Sequence, residues 1–236
     1  MKKNIILIAA AGVLAGRLLI GLAEPPTPTT APSANTQAVP ANGKKLIWQS
    51  EVEGTQTIII LRHGEKPSPG LGQLTPRGLN RALALSKLIP ERLGKPDYLF
   101  APDPSERMMD AGFSYSYLRP LATIEPLAIR LQMSVRTNFG HTEIRALQDE
   151  LLQANYANTK SVICWEHLAA EKLARSLLET FGIEGSVVPK WTDEDYSSVY
   201  VISITRKRGA PPKVTFERVD FQLGDLSDEM PEPARK

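Results

Sequence analysis

The sequence predicts an α/β fold of three layers, α/β/α, with helices on both faces of a mostly parallel sheet. Three observations carry that expectation. Short β-branched runs, QTIIIL at 56–61 and SVICW at 161–165, are apolar without alternation, as strands buried on both faces are. Segments with helical apolar spacing stand between such runs, and strands alternating with helices imply a parallel sheet. The 236 residues, 42% hydrophobic and 23% charged, supply ample chain for one large core.

The elements follow in order. Gln56–Leu61 is a buried strand. Thr75-Pro76 then opens a helix, with Thr75 as N-cap and Pro76 at the first helical position. Leu79, Ala82, Leu83, Leu85 and Leu88 supply its apolar face. Asp97–Ala101 reads as a second short strand. Arg119–Leu131 reads as a helix in which Pro126 predicts a kink or an early end. Glu143–Ala154 is helical, Ser161–Trp165 is a buried strand, and Leu168–Phe181 is a helix that Gly182 can stop. Val199–Thr205 and Lys213–Val219 close the chain as strands, and a polar, Pro-containing tail over 223–236 is expected to be loose.

The start of the chain has a different character. Residues 1–23 run basic, apolar, then small, the order of a secretory signal peptide, with Gly21 and Ala23 near the expected cleavage point. The rival reading is an uncleaved anchor from Ile5 to Leu22. That stretch is barely long enough to span a bilayer. Arg17 inside it would cost roughly 2.5–3.5 kcal/mol at the bilayer centre. Export to the periplasm or medium is therefore preferred, and membrane contact is expected only through such an anchor. Residues 24–43, rich in Pro, Thr and Ala, form a linker that cannot bury enough to offset chain entropy. The folded domain is expected over 44–222.

Charge and cysteine content exclude several functions. The formal net charge is +2, but residues 1–43 hold three bases and one acid, which leaves the domain neutral. A neutral domain lacks the broad basic face of a nucleic-acid binder. The one cysteine, Cys164, excludes an internal disulfide framework and a multi-thiolate metal site, and within an apolar strand it reads as core.

Three histidines remain as candidates for chemistry: His63, His141 and His167. His63 and His167 sit just past the two buried strands, where ligands bind in open parallel sheets. Arg62 beside His63 places a guanidinium fork for an oxyanion next to an imidazole that can act near neutral pH. The bland alternatives are a satisfied core histidine, a surface ion pair at Arg62, and an exposed helix residue at Arg119. His141, after Phe139-Gly140, reads as a loop residue, and the three histidines lack the local spacing of a metal site. Gly70-Leu71-Gly72 follows no strand and is not a phosphate loop. Trp191–Tyr196 reads as a rim near the site or as a solvated acidic loop.

Taken together, these residues resemble the histidine phosphatase superfamily, in its phosphoglycerate mutase-like branch. Arg62-His63-Gly64-Glu65 matches the RHG[E/Q] signature. Leu74-Thr75 with Gly78 and Ala82 is similar to the LTxxGxxQA element, with Arg81 where Gln is usual. Arg119 and Thr123 resemble the RAxQT helix start, and His167 stands in the place of the second histidine. The resemblance spans roughly 55–205 and implies a phosphoglycerate mutase-like fold and a small phosphorylated substrate. It implies His63 as phosphoryl acceptor, with Arg62, Arg119 and a protonated His167 holding the phosphate oxygens. Gly64 is expected to let the backbone approach the phosphate. No metal and no cofactor are expected, because two arginines and an imidazolium supply the positive charge.

The leaving alkoxide needs a proton, and the resemblance implies an acidic donor. Glu143 is the first choice by position, with Glu166 and Glu65 as rivals. Pro69 stands where mutases usually carry Asn, and Leu168 follows His167 where Gly is common. No second basic cluster awaits another phosphate, so a phosphatase is preferred to a phosphomutase. A non-catalytic phosphate-binding or partner-binding module and a metal-dependent hydrolase are the remaining alternatives.

Overall fold

The computed structural model describes residues 52–232 and the backbone of Ile5–Leu7; the expected leader and linker otherwise lie outside the described residues. The seven-stranded sheet contains β1 (Ile5–Leu7), β2 (Gly54–Arg62), β3 (Tyr98–Phe100), β6 (Val135–Arg136), β7 (Lys160–Trp165), β8 (Ser198–Arg206) and β9 (Lys213–Asp220). Its order is β1-β9-β8-β2-β7-β3-β6. A separate hairpin pairs β4 (Arg107–Asp110) with β5 (Phe113–Ser116). The helices are α1 (Pro76–Leu93), α2 (Arg119–Leu131), α3 (Ile144–Leu151) and α4 (His167–Thr180).

The parallel part of the sheet is β2-β7-β3-β6. β8 joins β2 antiparallel and β9 turns back on β8, because the loop between Arg206 and Lys213 is too short for a crossover. Ile58, Ile59 and Ile60 are all buried, and the pleat sends them to opposite faces. Ile58 and Ile60 pack with Leu147 of α3 and Leu173 and Leu177 of α4. Ile59 and Leu61 pack with Leu85 and Ile89 of α1 and with Ile124 and Leu127 of α2. The two cores are the reason that β2 has no polar face. Among the described residues no helix is long and apolar enough to cross a membrane.

Several elements differ from the sequence expectation. In α1 Thr75 caps as expected, its Oγ1 accepting the Gly78 N–H at 3.1 Å. The buried stripe, however, runs through Gly78, Arg81, Ala82, Leu85, Ser86 and Ile89, while Leu83 is exposed. Arg81 takes an inward position because Glu65 neutralises it there. Helix α2 continues past Pro126 to Leu131. The proline costs roughly 3 kcal/mol in a helix interior. Ile124 and Leu127, buried on either side of it, return roughly 1.5–3 kcal/mol each. Helix α3 is shorter than expected, and Ala154–Tyr156 forms a separate 3-10 turn. The β4–β5 hairpin was not expected; its turn places Ala111 and Gly112 at φ 50° and 82°. Residues 223–229 are anchored rather than loose: Arg81 donates to the Leu223 carbonyl, and Asn80 donates to those of Ser227 and Glu229.

Candidate active site

The parallel register of β2 and β7 sets Arg62 opposite Trp165, and the His63 N–H donates to the Trp165 carbonyl at 3.0 Å. His63 at the end of β2 and His167 at the start of α4 thus reach the same sheet edge. His63 is only 2% exposed. Its Nδ1 lies 2.7 Å from the Gly64 carbonyl, which can only accept, so Nδ1 carries the proton and Nε2 keeps its lone pair. Burial, and then the charges of Arg119, Arg62 and His167, lower its pKa to about 3 against the pull of that carbonyl. The ring is neutral at any moderate pH, the state a nitrogen nucleophile needs.

The motif glycine has a packing reason. A Cβ on Gly64 would stand 2.8 Å from the Gly78 carbonyl oxygen, so the strand end and α1 meet glycine to glycine. This close approach to α1 is the constraint the structure shows at Gly64. The Gly64 N–H donates to Thr123 Oγ1 at 2.9 Å, and that hydroxyl donates to the Arg119 carbonyl at 2.8 Å. The first turn of α2 is thereby tied to the histidine loop.

Arg62, Arg119 and His167 are all present at this edge, and each has protein partners. Arg62 Nη1 donates to the Asp193 carbonyl at 2.6 Å and the Thr192 carbonyl at 3.2 Å, and its guanidinium lies 3.9 Å over the Tyr196 ring. Arg119 Nη1 pairs with Asp110 at 3.1 Å, and Lys66 shares that carboxylate at 2.8 Å. The Nε atoms of Arg62 and Arg119 are buried without a partner among the described residues. Each ring nitrogen of His167 faces a carboxylate oxygen: Nδ1 lies 2.5 Å from Glu166, outside hydrogen-bond angles, and Nε2 lies 2.9 Å from Asp193. The Trp191–Tyr196 loop is therefore the rim of the site, anchored by buried Trp191.

The carboxylates considered as proton donors are engaged elsewhere. Glu65 receives Arg81 Nε at 2.9 Å and Nη2 at 2.6 Å. Burial raises its carboxyl pKa, but the Arg81 hydrogen bonds and charges outweigh that and hold it below the usual range. Arg81, the departure from the motif's usual Gln, is explained by this pair. Glu143 is exposed at the start of α3 and accepts the Gly140 N–H at 2.7 Å. Glu166 caps α4, accepting the Ala169 N–H at 3.0 Å. Cys164 is fully buried, and burial pushes its thiol pKa far up, as suits a core residue.

One pair escaped the sequence reading. His141 Nδ1 lies 2.8 Å from Glu106 Oε2, which also accepts the His141 N–H at 2.9 Å. The His141 ring packs edge-on against Tyr117 at 5.6 Å, and Tyr117 packs in turn against His63 at 6.2 Å. Trp165 Nε1 donates to the His141 carbonyl at 2.8 Å, fixing that loop at the end of β7. The available signal was the third histidine itself; its partner lies 35 residues away in sequence.

No family model and no curated protein matches the sequence. Similar solved structures exist at low identity. A structure described as that of a putative phosphohistidine phosphatase, SixA, from Nakamurella multipartitia is 14% identical, with a TM-score of 0.47, over 71% of this chain and 98% of that one. A mycobacterial glucosyl-3-phosphoglycerate phosphatase is 14% identical, with a TM-score of 0.45, over 75% of this chain and 100% of the other. A phosphoglycerate mutase from Bacillus anthracis is 12% identical, with a TM-score of 0.44, over 64% and 88%. At this level the likeness is one of overall shape, and the chemistry rests on the side chains described above.

Proposed function

We propose that this chain is a phosphatase that hydrolyses a phosphomonoester through a phosphohistidine on His63, without a metal or other cofactor. The observation that carries the reading is the state of His63: neutral, buried, Nδ1 tied to a carbonyl, and set among Arg62, Arg119 and His167. Nε2 attacks phosphorus in line, the N–P bond forms, and the bond to the leaving oxygen breaks. Arg62, Arg119 and His167 as imidazolium hold the equatorial oxygens, where charge gathers. Water then attacks phosphorus, the N–P bond breaks, and inorganic phosphate leaves. The unpartnered Nε atoms of the two arginines support this reading, since an orphaned buried donor costs roughly 1–3 kcal/mol that an oxyanion can offset. Incubation with p-nitrophenyl phosphate in the presence of a chelator should release phosphate, and His63→Ala should abolish release. Persistent turnover in that variant contradicts the mechanism; loss of turnover with chelator points to a metal-dependent hydrolase.

A second reading, a phosphate-binding module without turnover, is favoured by one observation. Asp193 places a carboxylate on His167 and its carbonyl on Arg62, so the loop occupies groups a phosphate needs. That module shows thermal stabilisation by phosphate with no release from the aryl ester. For location we propose export by the leader at 1–23, tested by amino-terminal sequencing of the mature chain.

A further inference from the structure

We infer that His141, oriented by Glu106, is the proton donor to the leaving group. The inference rests on the phosphatase reading and supplies the one group that reading lacks. In-line attack by His63 puts the leaving oxygen on the far side of phosphorus, roughly 5 Å from the attacking nitrogen. An acid must therefore stand away from His63 but on the same edge. His141 does so: the Tyr117 ring is in edge contact with both imidazoles, at 6.2 Å from His63 and 5.6 Å from His141. Burial pushes the Tyr117 hydroxyl pKa well up, so this phenol is a spacer and keeps its proton.

The other acids around the site are committed. Glu65 is held ionised by Arg81, Asp110 by Lys66 and Arg119, and Glu166 and Asp193 both face His167. Glu143 holds the backbone of Gly140. Glu106 takes Nδ1 of His141, which fixes the ring and leaves Nε2 as the transferable position on a side chain 24% exposed. Gly140 is part of the device, because a Cβ there would stand 2.2 Å from Glu106 Oε1. Main-chain bonds hold both partners: Tyr117 N–H donates to the Glu106 carbonyl at 3.0 Å, and Asp103 N–H to that of Phe139 at 2.8 Å. The step balances: as the phosphorus–oxygen bond breaks, the proton on His141 Nε2 passes to the departing oxygen. The neutral imidazole then takes a proton from the water that attacks phosphorus, and so returns to its starting state. Glu106 acts through His141 and is a positioning residue.

The test compares leaving groups in single turnover. Nitrophenolate departs without a proton, whereas the alkoxide of glycerol phosphate requires one. His141→Asn keeps a donor toward Glu106 and removes Nε2. It should lower the ratio of alkyl to aryl phosphorylation rates about 100-fold relative to the parent chain. Glu106→Gln, with the imidazole still present, should lower the same ratio by a smaller factor. An unchanged ratio in a folded His141→Asn variant overturns the assignment while the phosphatase reading stands. If His141→Asn does not fold, an unchanged ratio in Glu106→Gln overturns it equally. A parent chain that forms no phosphoenzyme from either ester overturns both.

Discussion

His63 is a base kept from its proton, and this links its reactivity to stability. The native ring titrates near pH 3, whereas an unfolded chain binds that proton near pH 6.5. Below pH 6.5 the unfolded state holds more protons, so stability falls as pH drops from 6.5 toward 3. The loss is at most about 1.4 kcal/mol per pH unit from this group. Denaturant titrations across that window should show the slope, and His63→Asn, which cannot take up the proton, should reduce it. The Glu65–Arg81 pair makes a second prediction. With the Arg81 side chain 3% exposed, Arg81→Met leaves a largely buried carboxylate with only the longer Arg77 contact at 3.5 Å and should cost up to about 3 kcal/mol in denaturant unfolding. The double change with Glu65→Gln should recover part of that loss. Arg62, His63, Arg119 and His167 were legible because each sits at a strand end or helix start. Glu106 and Asp193 were not, since their roles depend on contacts made far along the chain.

At the scale of elements, the acidic loop at 191–196 lies against the candidate site, with Asp193 on His167 and on Arg62. Asp193 is 80% exposed, so its contact with His167 is a solvent-screened pair worth at most about 1 kcal/mol. Under the proposed function, phosphate displaces it. Asp193→Ala should therefore tighten inorganic phosphate binding up to about fivefold, measured by calorimetry. Weaker binding in that variant shows that the carboxylate orients His167 instead of competing for it. The strands of the parallel core were readable because burial on both faces writes them as continuous apolar runs. The β4–β5 hairpin was less readable because Ala111 occupies a left-handed turn position where Asn or Asp is the usual signal. Pro126 argued for an end that core packing on both sides of it overrides.

Across the whole molecule, the three layers and the meeting of two strand ends were legible, and they are what bring His63 and His167 together. The neutral charge of the domain concealed a local concentration of positive charge at that edge. What composition could not show is how thoroughly the protein's own carbonyls and carboxylates cover it. The central claim is covalent chemistry at His63. Rapid quench during turnover of a radiolabelled aryl phosphate tests it most directly: acid-labile, base-stable phosphate is expected on His63 and absent from His63→Ala. Turnover with no such label, or with acid-stable label on another residue, would contradict it.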